Sequence, residues 1–196
     1  LAIIWKKLIN KEHTERSGAL FPEKWLLAKA NIHKELSNLE KLEKELVRYN
    51  LFPKIQTDSL GGFSLSDETS QRLIGSILHD YYTGIEKIFR IVAKDIDCSI
   101  PEDDLWDREL LDQMTLEVPG VRPALLSAAT ARKLEALRDF RQDFRDLYDF
   151  KRAPDKIMAL LKELPGLATD FKQDLKNFIV KMRQILGLNE PSNSAT

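Results

Sequence analysis

The sequence predicts an all-α fold: an antiparallel bundle of four to five helices with an N-terminal arm or short helix. Three observations carry this. Apolar residues recur at steps of three and four, and no stretch alternates with period two. Valine, the commonest strand former, is scarce. Pro and Gly divide the chain into blocks of helical length. A chain of 196 residues, 43% hydrophobic and 31% charged, is one domain long enough to bury a sizeable core, with room for an extra arm.

The elements follow in order. Residues 1–21 are an arm or extension, in which "AIIWKKLI" reads as a short helix or an arm. Phe21-Pro22 opens a long helix to about Tyr49, with Ile32, Leu36, Leu39, Leu42 and Leu46 on one face. "LFPKIQTDSLGGFS" is a loop. Ser66 or Asp67 caps a second long helix, with Glu68 in its first turn, ending near Asp97. Its apolar stripe, from Leu73 to Val92, is wide enough to pack on more than one neighbour. A short helix spans about Asp104 to Thr115 and is followed by a Pro-Gly turn. Ser127 caps a third long helix that runs to about Tyr148. Residues 154–186 hold a last helical pair, with "ELPGLA" as a break or kink. The bundle therefore covers 22–187. The tail, 188–196, is polar enough to be disordered.

Composition limits the function classes. The net charge of −1 gives no global pull toward nucleic acid or acidic lipid, so any anion site is a local patch. The single cysteine, Cys98, allows no internal disulfide and is expected to be an inert, buried or half-buried thiol. A reducing cytoplasm fits it best. Charges interrupt every apolar run well before the ~18 residues of a membrane span, so no membrane role is expected. "LAIIWKK" is too short for a signal-peptide core and has its basic residues on the wrong side. The leading leucine suggests a fragment or a missing upstream extension. Three histidines and one cysteine are scattered, with no zinc spacing, P-loop or dinucleotide glycine turn. No metal and no cofactor is expected.

The stretch that is not generic is "LRDFRQDFRDLYDF", residues 137–150. At about 100° per residue, Leu134, Leu137, Phe140, Phe144 and Leu147 share one arc and should be core. Arg138, Arg141 and Arg145 gather at one margin of it, with Tyr148 close to Arg141. Asp139, Asp143 and Asp146 lie on the far face, with Gln142 at its edge. One reading is a solvated helix whose arginines pair with nearby acids. The other is a phosphate-binding stripe of Arg138, Arg141 and Arg145, since arginine offers phosphate a planar, permanently charged donor fork.

Four blocks, "LIGSILHDYYTGIEKIFRIVAKDID", "LWDRELLDQM", "VPGVRPALLS" and "LRDFRQDFRDLYDF", occur in the order and spacing of HepT-like proteins. From roughly Ala28 to Leu186 the chain resembles this branch of the HEPN helical ribonucleases. The resemblance implies a helical bundle that forms a homodimer, and an RNA-cleaving toxin encoded beside a minimal nucleotidyltransferase antitoxin. It implies a signature of Arg, four to six residues, His, one residue, Tyr. Arg141 matches the arginine and Tyr148 the tyrosine. Asp146 stands where the histidine belongs, and Gln142 where close relatives often carry a second one. In this family the motif tyrosine, here Tyr148, is what the partner modifies with AMP.

The departure bears on the chemistry. Cleavage by a 2′-hydroxyl needs a base, an acid and a cation for the phosphorane. Histidine suits the proton work because its pKa lies near 7. Aspartate is ionised there and repels phosphate. Arg141 could still stabilise charge. Positions 141 and 146 are also about 140° apart on a straight helix, converging only at a frayed end or across a two-fold axis. The expectation is therefore a metal-independent nuclease, weakened or lost, with Arg141, Asp146 and Tyr148 as its catalytic positions. A natural loss and an engineered inactivation read alike. The alternative is a non-catalytic helical dimer that binds and regulates a nucleotidyltransferase or RNA, and a third reading is a plain scaffold.

Elsewhere, His79, Thr83, Glu86 and Arg90 form a polar stripe that reads as a solvated face. His79 could substitute as a proton carrier only if that face meets Arg141. Asp80 is expected to pair with an arginine of the third long helix. His13 and His33 are isolated, and Trp5, Trp25 and Trp106 read as packing residues or arm anchors.

Overall fold

The structure is a computed structural model that describes residues 22–55, 67–102, 105–145 and 154–188, the Arg145 side chain excepted. Its elements are α1 (Pro22–Arg48), α2 (Glu68–Asp95), α3 (Trp106–Thr115), α4 (Ala128–Arg145) and α5 (Pro154–Ile185). The described residues contain no strand, only an isolated bridge between Val118 and Arg122. The all-α bundle of four long helices and one short one agrees with the sequence.

Local chemistry sets the helix ends. The Asp67 carboxylate accepts the Ser70 amide at 2.8 Å and the Ser70 hydroxyl at 3.0 Å, capping α2. Those bonds, the amide first, hold its pKa below the usual carboxylate value. Ser127 caps α4, its hydroxyl taking the Thr130 amide at 3.2 Å, while its own amide donates to Asp174 at 2.8 Å. α1 ends on Asn50 and α5 on Gly187, both at positive φ. The chain then folds back, Leu51 amide to Leu46 carbonyl and Leu188 amide to Arg183 carbonyl, each 2.9 Å.

Cross-helix pairs fix the directions. Tyr81 of α2 donates its hydroxyl to Glu43 of α1 at 2.9 Å, and Gly84 lies against Leu39, so α1 and α2 are antiparallel. A Cβ on Gly84 would sit 2.6 Å from Leu39 Cδ2, so a glycine is what lets Leu39 pack this close to α2. Lys133 meets Asp170 at 2.7 Å and Lys156 meets Asp143, so α4 and α5 are antiparallel. α2 is the central helix, in contact with all four others. Its wide stripe is buried, Ile74, Ile85, Phe89 and Val92 among it. Lys172 of α5 reaches the second oxygen of Glu43 at 2.6 Å, so one carboxylate joins α1, α2 and α5.

Three expectations are corrected. The last helical pair expected over 154–186 is one helix, Pro154–Ile185, with Pro165 inside it. Leu161, Leu164, Leu167, Ala168 and Phe171 continue one buried face across the proline, and that burial outweighs the lost backbone bond. Cys98 is exposed, not buried, in the turn that leaves α2, where its φ is positive. Asp80 pairs with His79 Nδ1 at 3.2 Å rather than with an arginine. The arm, residues 1–21, and the tail from 189 to 196 lie outside the described residues. Among those described, no helix is long and apolar enough to cross a membrane.

Candidate functional site

α4 carries the site. Leu134, Leu137 and Phe140 are buried and dock it on the core, as their shared arc requires, while Phe144 is half-buried. α4 runs antiparallel to α2, with Arg141 opposite Glu86 and Phe144 opposite His79, ring centroids 5.5 Å apart. Of the stripe of His79, Thr83, Glu86 and Arg90, His79 and Glu86 therefore face α4, while Arg90 lies over Trp106 of α3. The stripe is not a solvated face at Glu86, which is buried.

α3 closes the site from the third side, and a buried arginine holds it there. Arg122 is 1% exposed. Its guanidinium takes both Asp97 oxygens, with Nη2 to Oδ2 at 2.8 Å, and donates to the carbonyls of Leu116, Pro123 and Gln113 at 2.7, 3.1 and 3.0 Å. The amides of Leu125 and Leu126 both donate to the Met114 carbonyl. The "VPGVRP" block thus fastens the end of α3 to the end of α2. It places Trp106, at the start of α3, over the arginines.

Arg141 is the centre of the arrangement. It is 7% exposed, and its Nη2 lies 2.8 Å from Glu86 Oε2. The guanidinium carbon stands 5.5 Å from the Trp106 ring centroid and 5.8 Å from that of Tyr82, within cation–π range. Its Nε and Nη1 have no hydrogen-bond acceptor among the described residues, and Glu86 Oε2 receives no aligned hydrogen bond. The Arg141–Glu86 contact is thus one of charge on charge, not a bidentate fork. The other Glu86 oxygen accepts from Arg90 Nε at 3.1 Å, and Arg90 lies 4.3 Å over Trp106.

The neighbours continue this balance. Arg138 is half-buried and donates to Asp139 at 2.8 Å. Burial alone works against its charge, but the Asp139 hydrogen bond and carboxylate outweigh it and raise its pKa. Gln142 donates to the buried carboxylate of Asp107 on α3. Burial first, and the Glu86 carboxylate second, push the Tyr82 phenol well above the usual range. Arg90, Arg138 and Arg141 are thus matched by Glu86, Asp107 and Asp139. The patch has arginines but little free positive charge.

Of the sequence-predicted positions, Arg141 and Arg138 come together as described. Arg145 ends α4, and its side chain is outside the described residues, as are Asp146, Leu147 and Tyr148. Among the described residues no group of three or more His, Cys, Asp or Glu is placed to hold a metal. Sequence reasoning missed Glu86, Tyr82, Trp106 and Asp107. The available signal was the position of Glu86 in a stripe seven residues beyond His79, one face of α2 two turns long.

A family model described as HepT-like protein matches residues 73–182, from the second turn of α2 to the last turn of α5. No curated protein and no solved structure matches the chain.

Proposed function

The chain belongs to the HepT-like family of the HEPN superfamily, and from that premise we propose that it is the RNA-directed toxin component of a toxin–antitoxin pair, with its nuclease weak or lost. It would act in the cytoplasm as a homodimer whose two α4 ends share one cleft, with a minimal nucleotidyltransferase as antitoxin. Arg141, Asp146 and Tyr148 are the catalytic positions, and Arg138 and Arg145 approach RNA phosphates. Light scattering at micromolar concentration checks the dimer.

The observation that carries this reading is the state of Arg141. The signature arginine is buried, flanked by two aromatic rings and neutralised by Glu86. In an active site it would steady the charge on the phosphorane, and it is held where it could do so only weakly. Asp146 in place of histidine removes the proton carrier as well. The same sequestration favours the second reading, a non-catalytic dimer that binds and regulates its nucleotidyltransferase or RNA.

The test is cleavage of a labelled RNA. Asp146→His should raise the rate by on the order of a hundredfold, the lower end of what a positioned acid or base supplies. Arg141→Ala in that background should abolish the gain. Robust cleavage by the present sequence that survives Arg141→Ala would put the site elsewhere.

A further inference from the structure

We infer that Glu86 is a built-in competitor for phosphate: its carboxylate holds the guanidinium groups of Arg141 and Arg90 that an RNA phosphodiester would otherwise engage, and so sets how tightly this surface binds RNA. The inference deepens the proposal above and rests on its reading of RNA as the ligand.

The geometry carries it. Glu86 gives one oxygen to each arginine, 2.8 Å to Arg141 and 3.1 Å to Arg90. Both arginines lie over the Trp106 ring, and burial strips water from Arg141, so a carboxylate or a phosphate oxygen is the best partner for the pair. Glu86 does not saturate Arg141, since Nε and Nη1 remain buried without an acceptor. Buried donors of this kind are normally satisfied, so the unmet pair leaves Arg141 able to take a further acceptor. Arg90 is 45% exposed at its side chain, so the pair opens to solvent on the Arg90 side. A phosphodiester arriving there meets two arginines whose charge is already half cancelled. It must displace the carboxylate or bind weakly.

A purely structural ion pair predicts the opposite response to mutation. If Glu86 only holds the helices together, removing its charge loosens the fold and weakens every ligand. If it competes with phosphate, removing its charge strengthens RNA binding even though the fold is somewhat less stable. Glu86→Gln is the decisive variant, because it keeps the shape and an oxygen acceptor.

The measurement is fluorescence anisotropy of a short labelled single-stranded RNA across a salt series, with circular dichroism to confirm folding. Glu86→Gln should tighten binding on the order of fivefold at about 0.1 M salt and steepen the log–log salt slope by about 0.7, as one further phosphate contact would. Glu86→Asp, which keeps the charge, should show no gain in affinity. Glu86→Gln with Arg141→Gln should lose it. Should Glu86→Gln melt below the assay temperature, Glu86→Ser removes the same charge, admits water and gives the same readout. Unchanged or weaker binding by a folded charge-free variant, with the wild type binding RNA, overturns the competitor role alone. If neither folded protein binds RNA, the RNA reading falls with it.

Discussion

Arg122 lies wholly inside the protein with its guanidinium on the Asp97 carboxylate, Nη2 to Oδ2 at 2.8 Å, twenty-five residues away in sequence. Three backbone carbonyls satisfy the rest of the fork. Arg122→Met would take the guanidinium from a carboxylate whose side chain is 6% exposed, leaving it the Gln113 amide group, and would remove a donor from each of those carbonyls. We expect a loss of about 3–5 kcal/mol, the range for breaking a buried pair on one side. Arg122→Lys should recover little, because one ammonium cannot reproduce the planar fork. Urea denaturation of the two variants checks both. A loss below about 1 kcal/mol for Arg122→Met would show that α3 is held by other contacts.

Gly84 offers a test of the opposite sign to helix propensity. In an exposed helix interior Gly→Ala stabilises by about 1 kcal/mol. Here the new methyl would meet Leu39 Cδ2 at 2.6 Å, and Leu39 is fully buried in the shared core. Gly84→Ala should destabilise by about 1–3 kcal/mol as α1 is pushed from α2. Adding Leu39→Ala should reverse part of that loss, a coupling that a double-mutant cycle reads directly.

The buried phenols predict an alkaline transition. Burial first, with the nearby carboxylates of Glu43 and Glu86, drives Tyr81 and Tyr82 well above the ordinary phenol pKa near 10. The sign follows from linkage. Below about pH 10 both states keep the protons, and stability is unaffected. Above it the unfolded chain releases protons that the folded chain retains. Stability then falls by roughly 1.4 kcal/mol per pH unit for each tyrosine. Absorbance at 295 nm should rise in two steps, the second together with the loss of helical circular dichroism. Tyr81→Phe with Tyr82→Phe should remove the second step. A single step at ordinary phenol pH with the helices intact would contradict this.

The last expectation concerns Tyr148, which lies outside the described residues but inside the family span. Incubation with a cognate nucleotidyltransferase and ATP should add one or more AMP units. Intact-mass spectrometry measures the addition and peptide mapping assigns it to Tyr148. An AMP phosphate beside Arg141 and Arg145 would fill the space that RNA needs. An unchanged mass with an enzyme active on another HepT-like protein, or modification persisting in Tyr148→Phe, would sink the idea.

Periodicity made the helices legible because their buried faces are nearly all apolar, as with Ile32, Leu39 and Leu46 of α1 or Leu134, Leu137 and Phe140 of α4. The caps were legible for a local reason, since Asp67 and Ser127 bond within three residues of themselves. The state of the site was not. A glutamate on a helix with polar neighbours reads as solvent-facing, and Glu86 is buried where α4 brings Arg141 to it and α3 lays Trp106 against its two arginines. That is information held in the packing of three elements. The continuity of α5 through Pro165 was hidden for a related reason. Breaking propensity is local, whereas the burial that overrides it comes from α2 and α4.

The carboxylate of Glu43, gripped by Tyr81 and Lys172, has a consequence for where this fold can be cut. α1 lies wholly before residue 73, where the family match begins, yet it supplies Trp25, Ile32, Leu39 and Leu46 to the common core. A chain trimmed to 73–182 would expose the faces of α2 and α5 that α1 covers and leave a lysine and a phenol without their shared anion. Such a piece would be sticky and prone to aggregation. We expect the smallest autonomous unit to begin no later than Pro22, since α1 shares one core with the helices that carry the family match.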